Sequence, residues 1–552
     1  MKIAKQPTWR RILPGAVPKK HRKGVLYLAV LGLLWTATPS DASPDTAGLF
    51  EPYQVEIGAA RRQAILTGSF LDAEATGSSD MHQIAVISIG GNANRRVRIY
   101  AFNDGSWASA VEAKLGAKVS LVDVANIGGR DRLITYQPGR INWFDPASAR
   151  EKTLLVINRH RRRPAKHEMH RVEMARDLNH DGRDDLILPD SSGFWIATQL
   201  DDGSFSQATK LGPEEPFLDE IYNEQRYGDM GLTAETIPWY LSRVHEADYN
   251  QDGRSDLVFW DQDHFEVHLQ GARGQFTRTP VDYTSNVPFD SDGSYSLLFG
   301  HGDRSTFSLV SGLGKMMKRT VLRSMRDMNG DDVPDLVLQT IEGRALTRLR
   351  SNYQVFYGKQ TKESISFNRE GSTEIRPRGK AGGIGASGYA SQEFHDFDAD
   401  GQIDIMFRDV HIGFGGIMRA LAGNSVAIDL EFYRTEDATD LMKPATRRRI
   451  RRFAPFAGLG NVFFPAVLLG DVNGDNRWDL LVGHSPTELH VFVGVSGPEL
   501  IARKPESVPV DLPSDPGKTW LADLNRDGKQ DVLMHHPSKD ENPHRLTTLI
   551  AR

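Results

Sequence analysis

Six stretches of this chain repeat one short pattern, and that pattern leaves few folds open. They are "DLNHDGRDDLIL" from Asp177, "DYNQDGRSDLVF" from Asp248, "DMNGDDVPDLVL" from Asp327, "DFDADGQIDIMF" from Asp396, "DVNGDNRWDLLV" from Asp471 and "DLNRDGKQDVLM" from Asp523. In each, side-chain oxygens fall at positions 1, 3, 5 and 9, and an apolar, often branched run follows. Position 6 is Gly182, Gly253, Gly401 or Gly528, and otherwise Asp332 or Asn476, all residues that tolerate the left-handed backbone of a sharp loop. The apolar run reads as a buried strand, so the loops connect strands. One copy alone is an ordinary Asx-rich turn. Six copies with the same carboxylate spacing form a repeat array with a shared chemistry.

Alternate side chains turned into a tight loop bring hard oxygens together with net negative charge. That donor set suits Ca²⁺, which accepts six to eight oxygens in flexible geometry, better than Mg²⁺, which keeps its waters. The candidate ligands are Asp177, Asn179, Asp181 and Asp185 with the backbone carbonyl of Arg183; Asp248, Asn250, Asp252 and Asp256 with that of Arg254; and Asp327, Asn329, Asp331 and Asp335 with that of Val333. The other three sets are Asp396, Asp398, Asp400 and Asp404 with Gln402; Asp471, Asn473, Asp475 and Asp479 with Arg477; and Asp523, Asn525, Asp527 and Asp531 with Lys529. An EF-hand begins in the same way, but it needs a bidentate Glu at position 12 and a following helix. Position 12 here is Leu188, Phe259, Leu338, Phe407, Val482 or Met534. About six Ca²⁺ sites are therefore expected, and unfilled loops should repel themselves apart.

Two degenerate copies precede the six. "DAEATGSSD" keeps Asp72, Glu74, Gly77 and Asp80, whereas "DVANIGGRD" has Ala125 and Ile127 where ligands belong and reads as a loop held without metal. Downstream of each of the eight comes a second strand candidate: "RVRIYAFNDG", "RINWFD", "GFWIATQLDDG", "FEVHLQG", "YQVFYG", "IDLEFYR", "LHVFVG" and "RLTTLI". Stretches such as "HRVEMARD" and "AVLLGD" supply a strand before the loop. One unit is thus a four-stranded antiparallel sheet. Sheets stacked radially bury both faces and leave short edges, which predicts an all-β propeller of about eight blades over residues 50–552, with loop or helical insertions on its rims. The last unit lacks a fourth strand, and "EPYQVEIG" at residues 51–58 has the period-two alternation to supply it and close the ring.

The pattern D-x-[DN]-x-D-[GDN]-x-x-D followed by a strand resembles the FG-GAP/VCBS repeat family, which includes the propeller of integrin α-subunits and many exported bacterial proteins. The resemblance covers residues 50–552 and implies Ca²⁺ in loops between the first and second strands of each blade. Integrin propellers have seven blades, where eight are counted here.

Residues 1–42 are of another kind. Eight Lys/Arg precede the apolar run "GVLYLAVLGLLWTA" and then "PSDAS", the layout of a secretory signal cut after Ala42. The run is short for an uncleaved membrane anchor, so no transmembrane span is expected after cleavage. Removing that segment, with its one Asp, moves the formal charge from −5 to −12. An exported, acidic chain disfavours nucleic acid as a partner, and the absence of cysteine excludes disulfides.

Two basic clusters, Arg159 to Arg171 and Arg447 to Arg452, read as solvated loops or as a grip on phosphate or uronate groups. "GIGASG" at Gly383 to Gly388 lacks the βαβ context of a dinucleotide site, and the pair His167 and His170 lacks a helix to aim both rings at one metal. The expected role is a non-enzymatic binding or scaffold module, periplasmic or extracellular, for a glycan, a protein or an envelope component. The alternative is a carbohydrate-active enzyme such as a polysaccharide lyase, for which the sequence assembles no catalytic constellation.

Overall fold

The apolar run after each loop forms the second strand of a sheet, buried on both faces: Asp185–Pro189, Asp256–Asp261 and Asp531–His536 are buried along nearly their whole length. The computed structural model describes residues 48–552 apart from 61, 73–80, 91, 158–168, 191–192, 214–243, 262, 291–316, 344–349, 362–363, 370, 378–391, 411–424, 436–440, 454–465, 514 and 538–543. Glu74, Gly77, Asp80, the "GIGASG" segment, His167, most of the first basic cluster and most residues of the expected rim insertions lie outside the described residues.

Eight four-stranded antiparallel blades make up a β-propeller. Blade 1 is Arg62–Gly68, Gln83–Ile89, Arg95–Asn103 and Ser106–Leu115. Blade 2 begins at Leu121–Asn126, blade 3 at Ala175–Arg176, blade 4 at His245–Ala247, blade 5 at Met317–Arg326, blade 6 at Gln392–His395, blade 7 at Val467–Gly470 and blade 8 at Thr519–Ala522. No helix among the described residues is long and apolar enough to cross a membrane.

Each pair of neighbouring blades shares an apolar cluster. Leu66, Ile87 and Val97 of blade 1 meet Val122, Leu133 and Phe144 of blade 2. Phe397 and Phe432 of blade 6 meet Leu480 and Val482 of blade 7, and Val491 of blade 7 meets Val532 and Leu549 of blade 8. Leu533 and Leu546 of blade 8 meet Ile84 and Tyr100 of blade 1, which closes the ring.

The outer strand of blade 8 is Phe50–Glu56, antiparallel to Arg545–Ala551 from Phe50 opposite Ala551 to Glu56 opposite Arg545. The strand stops short of Gly58 because that residue takes a left-handed φ of 76°, and the Ile57 amide turns to the His544 carbonyl at 2.8 Å. At the seam with blade 1, Trp107 Nε1 donates to Thr548 Oγ1 at 3.1 Å. Gln63 Oε1 there accepts from His535 Nε2 at 3.1 Å and from His544 Nδ1. Burial keeps His535 neutral, its pKa lowered to about 3.

The segment before the loop of blade 3 divides. His170–Arg171 runs parallel to Leu121 and Val122 of blade 2, and only Ala175–Arg176 joins blade 3. The cause is Asp123, whose Oδ2 accepts the amides of Met174 and Ala175 and pins the crossing point.

Candidate functional site

All six nine-residue loops share one hydrogen-bond scheme. The carboxylate at position 1 accepts the amide of position 6, at 2.8 Å for Asp177 and Gly182, 2.7 Å for Asp471 and Asn476, and 3.0 Å for Asp523 and Gly528. The carboxylate at position 5 accepts the amide of position 7, as in Asp181 with Arg183 at 3.0 Å and Asp400 with Gln402 at 2.9 Å. Two residues per loop are left-handed. Position 6 is one, with φ from 61° at Asp332 to 89° at Gly401. Position 4 is the other: His180, Gln251, Gly330, Ala399, Gly474 and Arg526. Position 6 is marked by residue type; at position 4 two loops use glycine, and in the other four His180, Gln251, Ala399 and Arg526 are held there by the loop's own bonds.

The ninth carboxylate is fully buried in five of the loops and 1% exposed in Asp404. Its Oδ2 accepts the amide of position 2 and its Oδ1 an amide at the end of the third strand. For Asp479 the donors are Val472 at 2.9 Å and Gly494 at 2.6 Å; for Asp531 they are Leu524 and Ala551, both at 2.7 Å. Asp185, Asp256, Asp335 and Asp404 repeat this with Leu178 and Gln199, Tyr249 and Gln270, Met328 and Gly358, and Phe397 and Thr435. Position 2 is itself a core plug: Leu178, Tyr249, Met328, Phe397, Val472 and Leu524 are all buried. Burial lifts the carboxyls of Asp185, Asp335 and Asp404 to about 7 and those of Asp256, Asp479 and Asp531 to about 6, against the pull of their amide donors.

The loops also carry their own cations. Position 7 turns its side chain onto the carboxylate at position 5: Arg183 on Asp181 at 2.7 Å, Arg477 on Asp475 at 3.0 Å, Lys529 on Asp527 at 3.1 Å, and Arg254 on Asp252. In blade 6, where position 7 is Gln402, Arg434 reaches Asp398 at 2.9 Å and Asp400 at 3.4 Å. In five loops a basic side chain therefore offsets part of the repulsion without any metal. In blade 5 position 7 is Val333, position 6 adds Asp332, and no basic side chain among the described residues pairs with Asp327, Asp331 or Asp332.

A hard cation fits these donors on two observations. Asp523 Oδ1 is buried without a hydrogen-bond donor, and so is Asp398 Oδ1, although Arg434 meets the other oxygen of that carboxylate; an unsatisfied buried oxygen costs free energy that a cation would relieve. Asp396, Asp398 and Asp404 bring one carboxylate oxygen each within 4.8 Å of one another. The blade 2 loop has no such set. Ala125 and Ile127 are buried there, and Asp123 is occupied by two amides.

Adjacent loops are tied by groups that sequence reasoning missed. Gln199 Nε2 donates to the Asn126 carbonyl at 2.8 Å, Gln270 Nε2 to that of Asn179 at 2.9 Å and Gln360 Nε2 to that of Tyr249 at 3.2 Å. The legible signal was the recurrence of Gln at one offset, Asp185 to Gln199 and Asp256 to Gln270. The second basic cluster is no loop: Thr446–Phe453 is the outer strand of blade 6. Arg447 pairs with Glu431 at 2.9 Å, and Arg448 donates to the Ile501 and Ala502 carbonyls of blade 7 at 2.7 and 3.1 Å.

Asp396→Ala should reduce the Ca²⁺ bound per chain by about one, whereas Asp123→Ala should leave that number unchanged yet lower the melting temperature. The latter strands two amides that each cost roughly 1–3 kcal/mol when buried unpaired. Metal counting and calorimetry on both variants check this, and equal counts in the two would remove Asp396 from the ligand set.

No family model matches the chain, and no curated protein matches it. Among solved structures it is similar to the V. cholerae biofilm matrix protein Bap1, at 11% identity over 90% of this chain and 88% of that one with a TM-score of 0.31. It is also similar to the WD40 domain of SCAP from fission yeast, at 9% identity over 84% of this chain and 98% of that one with a TM-score of 0.25.

Proposed function

We propose that the chain is an exported, calcium-stabilised propeller of the FG-GAP/VCBS type that serves as a non-enzymatic binding or scaffold module for a glycan or protein of the cell envelope. The observation that carries this reading is the common loop: six copies hold carboxylates at positions 1 and 5 by the same amide bonds, and two of the loops leave a buried carboxylate oxygen without a donor. Ca²⁺, when bound, would neutralise the converging carboxylates of a loop and join its first half to its second. The chain's own part is to preform each loop, through the ninth carboxylate and the plug at position 2, so that little order remains to be imposed on binding. Such a ring presents fixed turns on one face, which is what a scaffold requires. A lyase would need free cations beside a uronate. Arg447 and Arg448 are committed to Glu431 and to backbone carbonyls instead, which supports the binding role.

Melting should rise with Ca²⁺ and fall with chelator. With dissociation constants of about 0.1–1 mM, millimolar Ca²⁺ adds roughly 0.4–1.4 kcal/mol per site. The blade 5 loop, lacking an internal cation, should fill at the lowest concentration, and Asp331→Asn should remove that first step. A melting temperature indifferent to chelator would sink the calcium reading.

A further inference from the structure

The second and third strands of blade 7, Asp479–Ser485 and Glu488–Phe492, are joined by a tight turn through Pro486 and Thr487. Glu488 and His490 lie two residues apart and so share one face of the sheet. Val482 pairs with His490, so His484, two residues on, falls on the same face, beside a register shift between Gly483 and Ser485. The outcome is a compact group of two imidazoles and a carboxylate. His490 Nε2 is 3.3 Å from Glu488 Oε1 and His484 Nε2 is 4.0 Å from Glu488 Oε2. One ligand atom from each of the three lies within 4.8 Å of the others.

We infer that His484, Glu488 and His490 form a binding site for a divalent transition-metal ion, with Zn²⁺ as its natural probe. Two imidazole nitrogens and one carboxylate oxygen are the ligands that Zn²⁺, Cu²⁺ and Ni²⁺ accept, whereas Ca²⁺ and Mg²⁺ take oxygen alone. The two rings are stacked, with centroids 3.9 Å apart and planes within 9°. A shared ion requires each ring to turn its lone pair toward the other. His484 has the freedom to do so, being 45% exposed, while His490 at 18% is the fixed partner. The hydroxyl of Ser507, on the neighbouring strand opposite His490, supports the arrangement by bonding to Glu488, and together with His490 it holds that carboxyl below the usual range. Three protein ligands at an exposed rim leave coordination positions for water or for a donor from a partner molecule.

This site is independent of the nine-residue loops. Those loops join first to second strands, so they lie at the opposite end of the blade, about 20 Å away along seven residues of strand. Titrating Zn²⁺ into the full chain saturated with Ca²⁺ should show one ion bound at submillimolar concentration or below. Glu488→Gln and His490→Gln should each weaken it at least tenfold, and Co²⁺ bound in place of Zn²⁺ should show a visible band that His484→Asn abolishes. His484→Asn alters an exposed side chain, so its effect is read on folded protein. No Zn²⁺ binding by the unaltered chain, or affinity unchanged in His484→Asn and His490→Gln together, would overturn the assignment and leave a hydrogen-bonded surface cluster.

Discussion

A chain that begins at Gly58 should melt far below one that begins at Leu49, and it should self-associate. The difference is the strand Phe50–Glu56, which supplies the whole outer edge of blade 8. Phe50 and Ile57 are 2% and 4% exposed, and burial of two such side chains contributes about 3–6 kcal/mol before any backbone bond is counted. Tyr53 also packs edge-on against Phe102 of blade 1 at 4.8 Å, so its loss loosens the seam as well as the sheet. The vacated edge exposes the outward groups of Arg545–Ala551, a template for pairing with another copy. Scanning calorimetry and size-exclusion chromatography read both effects. A truncated chain that stays monomeric and melts with the longer one would show that blade 8 does not depend on this strand.

Asp479→Ala should lower stability by roughly 2–6 kcal/mol, and most of that loss should persist in chelator. The reason is that the amides of Val472 and Gly494 are left buried without an acceptor, at about 1–3 kcal/mol each. Asp475→Ala, at position 5 of the same loop, should behave differently. It removes a partially exposed carboxylate that pairs with the Arg477 side chain and accepts its amide, contacts at the surface that are worth little in water, so in chelator it should melt much closer to the unaltered protein and lose mainly the increment that Ca²⁺ would add. Unfolding curves of both variants in the two conditions separate a carboxylate that builds the loop from one that would bind within it. If Asp479→Ala matched the unaltered chain in chelator, the amide clamp would carry none of the stability assigned to it.

The architecture was legible because the repeat advertises its own turns. A loop with fixed left-handed positions followed by a doubly buried strand recurs often enough to count blades, even where "DVANIGGRD" has lost its oxygens. The ninth carboxylate shows where such reading stops. An acceptor for two amides and a ligand for a metal both demand Asp at that position, and spacing does not tell them apart. Residues 447–452 were opaque for a different reason: consecutive arginines have no period, so nothing distinguishes an edge strand from a solvated loop until Glu431 and the Ile501 carbonyl stand opposite them. The group at His484, Glu488 and His490 was visible only as "HSPTELH", whose members converge only once the turn at Pro486 and Thr487 sets Val482 opposite His490.

The closing ladder also gives the ring a direction of mechanical weakness. Phe50 stands opposite Ala551, and the Arg552 amide donates to the Leu49 carbonyl at 2.9 Å, so residues 49 and 552 lie at the same end of the pair. A force drawn between those two points loads the ladder one rung at a time and peels it, whereas the same force applied between residue 57 and residue 552 would have to shear every rung together. Tension applied between residues 49 and 552 therefore loads this zipper directly.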